Sequence, residues 1–260
     1  MQGKTHFIKL LLGVLVCFST HSIANNNKKR KVQNSPASKE ISYSARSPNM
    51  KLLADSLYEV IDLANYGMEK STFFNAYKGY RYLQNKGSVR KKNLLTICDY
   101  SQSINNKRLY VIDLVNLKVL FNTYVAHGIK SGDECASSFS NLENSNKSCL
   151  GFLITADTYN GDAGYSMRFN GMEHGINDRA RSRAIVLHGS IVLSEPKKSS
   201  QETIIKSLGC PAVPYGIHSK IIDAIKGGSC FFINHPDKKY AKTSAIVNAQ
   251  FDLAPIAKAE

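Results

Sequence analysis

The hydrophobic period of the chain changes at Leu94, and that change restricts the possible folds more than any other feature. Leu94 to Tyr100, Leu109 to Val115 and Val119 to Ala126 are strand-like runs, separated by the turn sequences Asn105-Asn106-Lys107 and Asn116-Leu117-Lys118. Runs of this length joined by short polar turns predict an antiparallel meander. Phe152 to Ala156, Ala184 to His188 and Cys230 to Asn234 are further strand candidates. One helix is predicted from Gly216 to Lys226, with Ile217, Ile221, Ala224 and Ile225 as its apolar face. Upstream of Leu94 the period is helical. Ser47-Pro48 reads as a helix start, Leu53, Leu57, Val60, Ile61 and Ala64 share one face, and Gly67 ends the run. A second helix is predicted from Thr72 to Gln84, with Phe73, Tyr77 and Tyr80 as its stripe and Gly87 as its stop. The class is therefore mostly β. Residues 48–88 are read as a small N-terminal helical cap without chemistry of its own, 89–240 as the main domain and 241–260 as a C-terminal tail.

The start of the chain concerns its compartment. Lys4 and Lys9 flank a short apolar core from Leu10 to Phe18, and Ser22-Ile23-Ala24 is a small-x-small site, so residues 1–24 read as a secretory signal peptide cleaved after Ala24. The apolar core is too short for a permanent spanning helix. The expectation is export to the periplasm or cell envelope with no stable membrane insertion after cleavage; retention as an uncleaved anchor stays open. Residues 25–47, rich in Asn, Lys and Ser around Lys28-Lys29-Arg30-Lys31, read as a basic flexible linker. The formal charge of +14 favours an acidic partner surface. No helix-turn-helix, zinc-finger spacing or RNP-type segment occurs, so nucleic acid is not the expected partner.

The chemistry concentrates in Ser207-Leu208-Gly209-Cys210-Pro211-Ala212-Val213-Pro214. Gly209 permits backbone conformations that a Cβ forbids, and Pro211 biases Cys210 away from the helical region. The thiol is thus predicted on an irregular turn, where the N–H groups of Gly209 and Cys210 are free to serve as oxyanion donors. His188 follows the apolar run Ala184-Ile185-Val186-Leu187, so a strand end delivers an imidazole as the base. A buried packing cysteine and a hydrogen-bonded structural histidine are the bland alternatives to this pair.

Leu187-His188-Gly189, a loop, and then Ser207-Leu208-Gly209-Cys210 resembles the signature of the murein L,D-transpeptidase catalytic domain, often called YkuD-like: a His-Gly followed by Ser/Thr-His-Gly-Cys. Leu208 stands where that family usually has histidine, and Ala212 where it usually has arginine or asparagine. The Ser-Leu-Gly-Cys-Pro form is similar to a divergent branch. That branch also matches Ala126-His127-Gly128, Phe139-Ser140-Asn141, Ser148 with Leu150-Gly151, and Asn177-Asp178-Arg179-Ala180-Arg181-Ser182-Arg183.

The resemblance implies a small L,D-transpeptidase-like β-sandwich or barrel with the His and Cys turns gathered at one end. It implies no cofactor, and peptidoglycan stem peptides as substrate. His188 would take the Cys210 proton, and Cys210 would attack the carbonyl at the L-centre of the third residue of a donor tetrapeptide. The terminal D-alanine leaves, and the thioester passes to an acceptor amine of a second stem or a protein lysine. The Gly189 carbonyl would orient the imidazole and the Ser207 hydroxyl support the site. With no arginine after the cysteine, Arg168, Arg179, Arg181 and Arg183 are the candidates for the substrate carboxylate. Arg168 and Arg183 are preferred, with His174 as a wall. An L,D-carboxypeptidase or endopeptidase using water shares every motif, and a non-catalytic wall-binding protein remains a third reading.

Beyond the signal segment lie Cys98, Cys135, Cys149, Cys210 and Cys230, in a compartment that permits disulfides. Neither Cys135 nor Cys149 is typical of the branch, and two local departures of one kind suggest a pair. Their bridge would close a loop of about 15 residues, adding roughly 3 kcal/mol. Cys98 and Cys230 are buried thiols or a second bridge. The cysteines and histidines lack C-x-x-C or H-x-x-x-H spacing, so no metal site is expected. His127 and His218 read as structural.

Overall fold

The computed structural model describes residues 43–44, 48–193 and 207–253. The expected signal peptide and most of the expected linker lie outside the described residues. In chain order the elements are β1 (Tyr43–Ser44), α1 (Pro48–Val60), a 3₁₀ turn (Leu63–Tyr66), α2 (Lys70–Asn85), β2 (Leu94–Asp99), β3 (Leu109–Asp113) and β4 (Lys118–Thr123). Then follow β5 (Gly151–Gly161), β6 (Gly164–Gly171), β7 (Val186–Ser190), a 3₁₀ turn (Ile191–Leu193), β8 (Ala212–Pro214), α3 (Tyr215–Ile225), β9 (Cys230–Asn234), α4 (Lys238–Thr243) and β10 (Asp252–Leu253).

Eight strands form one mostly antiparallel sheet in the order β4-β3-β2-β9-β5-β6-β7-β8, while β1 and β10 pair as a separate ribbon. The predicted meander is β2-β3-β4, with Leu95 opposite Ile112 and Val111 opposite Phe121. Strands β2 and β3 are buried at every position, and α2 packs on β2 and β9. Gly79 allows that approach: a Cβ there would lie 2.0 Å from the Phe152 ring, which in turn stacks on Phe232 at 4.2 Å. The α2 stripe of Phe73, Tyr77, Tyr80 and Leu83 joins the same core.

Beyond β4 the chain crosses to the far edge of the sheet. Ala126 N–H donates to Ala212 O at 2.8 Å, and Gly128 bridges Ser207 in parallel. The first and last strands of the sheet therefore meet through this segment, which is barrel-like closure of a single sheet. The Cys210 turn lies at that seam.

Several expectations are corrected. Ala184 has a positive φ of 51°, so β7 starts at Val186, two residues later than the apolar run suggests. β6 was not foreseen because Gly-Tyr-Ser-Met-Arg-Phe-Asn-Gly buries little beyond Ser166, Met167 and Phe169. β8 is only three residues long, and α4 was also not foreseen. The supposed tail is built into the structure as far as it is described: Ser244 and Ile246 are buried, and β10 pairs with β1. The expected Cys135–Cys149 bridge is absent. Cys149 is in the core beside the start of β5, whereas Cys135 is exposed next to the Gly132–Ala136 bridge, and both thiols are free.

Candidate active site

Ser207 to Pro211 makes a tight turn held from inside and from both flanks. Ser207 Oγ accepts from Gly209 N–H at 3.0 Å and donates to Cys210 O at 2.5 Å. Outside the turn, Ser207 N–H donates to His127 O and Ile129 N–H donates to Ser207 O. Gly209 sits at φ 126°, and a Cβ there would meet Lys147 O at 2.8 Å. Glycine is required on both counts. Gly128 is equally constrained, its virtual Cβ lying 3.0 Å from Gly209 Cα and 2.8 Å from Ser148 N. Ser148 Oγ ties the two glycines together, accepting from Gly128 N–H at 3.0 Å and donating to Gly209 O at 3.2 Å.

The Cys210 thiol is half-buried against the start of β7, with Val186 N–H at 3.4 Å and Ala184 O at 3.5 Å from Sγ. The left-handed Ala184 aims its carbonyl there, an instance of local strain beside a candidate nucleophile. Burial pushes the thiol pKa up from its ordinary value, opposed by the Val186 N–H and then by the Arg183 charge. Burial thus favours the protonated thiol, and nucleophilic attack from it would require a base.

His188 lies on β7, opposite Ala212 in a parallel pairing. Cys210 lies two residues before Ala212, and its thiol meets Val186, two residues before His188 on β7. His188 Nδ1 is 3.0 Å from Gly189 O. A carbonyl only accepts, so Nδ1 carries the hydrogen and Nε2 keeps its lone pair. Gly189 has no room for a side chain, since a Cβ would meet His218 and Tyr215 at 2.8 and 2.9 Å. His218 is buried there, stacked on Tyr215 and bonded through Nδ1 to Tyr215 O.

The two expected oxyanion donors separate. The Gly209 amide is taken by Ser207 Oγ, which removes it from that role in this geometry. The Cys210 amide has no acceptor among the described residues and stays available.

Three of the four arginines expected to meet a substrate carboxylate engage groups of the chain itself. Arg168 and Arg181 both bind Asp157, at 2.6 and 2.9 Å, and Arg168 lies over the Tyr159 ring. Arg183 Nη1 and Nη2 hold Ser140 O, Ser145 Oγ and Lys147 O, bracing the loop that packs on Gly209. Its donors serve the chain rather than a ligand. His174 is fully exposed, pairs with Asp178 at 3.1 Å and lines a separate cleft.

The brace behind the turn was not foreseen. Arg108 is fully buried; it donates to Val125 O, Gln102 O and His127 Nδ1 and lies over the Tyr100 ring. An arginine in a polar turn-to-strand stretch gives no signal of burial. Glu173 is a second buried charge, accepting from Phe152 N–H, Tyr240 OH and Ser244 OH. Among the described residues no group of three His, Cys, Asp or Glu side chains is placed to hold a metal.

The L,D-transpeptidase catalytic domain model, YkuD_2, matches residues 64–234, well over half of the chain. The chain belongs to the L,D-transpeptidase catalytic domain family. Among solved structures it is similar to an L,D-transpeptidase from Mycobacterium smegmatis, at 11% identity and a TM-score of 0.34, covering 55% of this chain and 59% of that one. It is also similar to the helical cell shape determining protein Pgp2 from Campylobacter jejuni, at 16% identity and a TM-score of 0.36, covering 64% and 60%. An L,D-transpeptidase from Mycobacterium tuberculosis H37Rv is 12% identical, with a TM-score of 0.33 and coverage of 55% and 58%. The chain spans about three fifths of the length of these structures. A search of curated proteins gave no match.

Proposed function

We propose that the protein is a cysteine acyltransferase of the cell envelope that acts on peptidoglycan stem peptides through a thioester on Cys210. The observation that carries this reading is a half-buried thiol on a constrained turn, docked on β7 two residues from a histidine whose Nδ1 contacts Gly189 O, on a chain of this family. His188 Nε2 takes the thiol proton, and the thiolate attacks the L-centre carbonyl. The Cys210 N–H donates to the developing oxyanion, and the protonated imidazole returns the proton to the departing D-alanine amine. The acceptor amine then attacks the thioester, its proton passing to His188 as the thiolate leaves. The stem's carboxylates suit a chain of charge +14. Among the described residues no helix is long and apolar enough to cross a membrane.

Mass spectrometry of tetrapeptide stems incubated with the mature protein should show loss of D-alanine together with a crosslinked product. Tripeptide alone would assign water as the acceptor. Cys210→Ala and His188→Ala should each abolish turnover, because groups acting as a unit are not additive. Turnover at a tenth or more of the wild-type rate in folded Cys210→Ala would remove the thioester.

A further inference from the structure

A cleft of about 530 Å³ opens between the 139–142 loop, the 174–179 turn and α4. The volume is that of a small-ligand site. None of the side chains assigned to the thioester chemistry lines it. Phe139, Leu142 and Ile176 give it an apolar wall, and Arg179 and Lys239 stand on it as cations. Of the four arginines between Arg168 and Arg183, Arg179 alone has a guanidinium with no partner among the described residues. The Lys239 ammonium has none there either. The carboxylates of the cleft are already engaged. Asp178 accepts from Asn141 Nδ2 at 2.7 Å and from Gly175 N–H at 3.0 Å and pairs with His174, while Asp237 accepts from Tyr240 N–H at 2.6 Å.

The walls are also fixed before any ligand arrives. Asn141 donates to Asp178 and accepts from Arg179 N–H, clamping the loop to the turn, and Tyr240 OH anchors α4 on the buried Glu173. A preformed cavity with satisfied acids, two uncommitted cations and an apolar wall selects an anion carrying an apolar portion. We propose that this cleft binds a short carboxylate-bearing peptide, with Arg179 and Lys239 holding the carboxylate and Phe139, Leu142 and Ile176 packing the side chains. Peptidoglycan stems and acidic protein segments share this chemistry.

The test uses fluorescence anisotropy with the Cys210→Ala protein, so that no probe is consumed. The probes are a fluorescein-labelled stem tetrapeptide, the α-linked peptide Ala-Glu-Glu-Ala, and both with their carboxyls amidated. At least one free-acid probe should bind, weaken with added salt, and lose about 10-fold or more in affinity on amidation and again in Arg179→Gln. The arm that binds names the source. Lys239→Ala should give a smaller loss of the same sign. Arg179→Gln should keep the parent's urea midpoint, because its guanidinium has no partner among the described residues. Equal affinity in Arg179→Gln, equal affinity of the amidated probes, or no binding by either free-acid probe overturns the proposal. Stem turnover by the protein with Cys210 intact is read separately, so failure of the thioester reading and failure of this one are distinguishable.

Discussion

Gly209→Ala tests the idea that the nucleophile is presented by a turn that only glycine can make. At φ 126° an added Cβ costs about 1–3 kcal/mol in backbone strain. The same Cβ would lie 2.8 Å from Lys147 O and 3.3 Å from Ile185 Cδ1. The first neighbour is backbone, held by Arg183 Nη2, and cannot swing aside as a side-chain tip would. Relief of that overlap adds about 1–3 kcal/mol. The expected loss is therefore about 2–6 kcal/mol, large against the roughly 5–15 kcal/mol of a typical domain. If the turn yields locally instead, the loss of stability is smaller, but Cys210 leaves its contact with Val186 N–H and its alkylation rate changes. Urea denaturation and the rate of iodoacetamide modification of Cys210 in the folded protein measure the two outcomes. Gly216→Ala is the matched control, since nothing lies within 4 Å of its virtual Cβ and its φ is ordinary. A Gly209→Ala protein with the wild-type urea midpoint and wild-type Cys210 reactivity would refute the reasoning.

Glu173→Ala leaves the Phe152, Tyr240 and Ser244 donors unsatisfied in the core, an expected loss of about 3 kcal/mol or more in urea. Glu173→Gln keeps an oxygen for two of them and should cost much less. Burial raises the folded pKa of Glu173 above its ordinary 4.5, so the folded state binds that proton more tightly than the unfolded state does. Wild-type stability from this group should fall as pH rises from 4.5 through the folded pKa and be flat above it, and the Gln variant should lack that slope. In alkylation mapping of native protein, Cys135 should react at once and Cys98, Cys149 and Cys230 only on unfolding, a pattern that a Cys135–Cys149 bridge would prevent. Cys210 should react slowly at neutral pH and faster as pH rises past the ordinary thiol range. Arg183→Gln should shift that profile further upward, because Arg183 is one of the groups holding the pKa down.

The meander, α2, α3 and β9 were legible because each carries its own signal: a period of two between polar turns, a period of 3.6 with a stop, or a run of apolar residues as long as a strand. Gly209 and Cys210 were legible as a turn because the constraints of glycine and of a residue before proline are local. The start of β7 was not legible, since an alanine in an apolar run gives no sign of the left-handed conformation that Ala184 adopts. β6 was missed because its partners, not its composition, make it a strand.

What the sequence determined by itself is the mostly β class, the helical segments before it, and the placing of Cys210 on a turn and His188 on a strand. Only the tertiary structure decided how the charges are used. It set Arg168 and Arg181 on Asp157, spent Arg183 on the loop behind Gly209, buried Arg108 against His127, and left Arg179 uncommitted on a cleft. It also separated Cys135 from Cys149 and set the Gly209 amide on Ser207 Oγ. The physical reason is that periodicity and turn preference act between near neighbours along the chain. The partner of a guanidinium, a thiol or an amide is whichever acceptor folding brings within about 3 Å, and that acceptor comes from a distant part of the sequence.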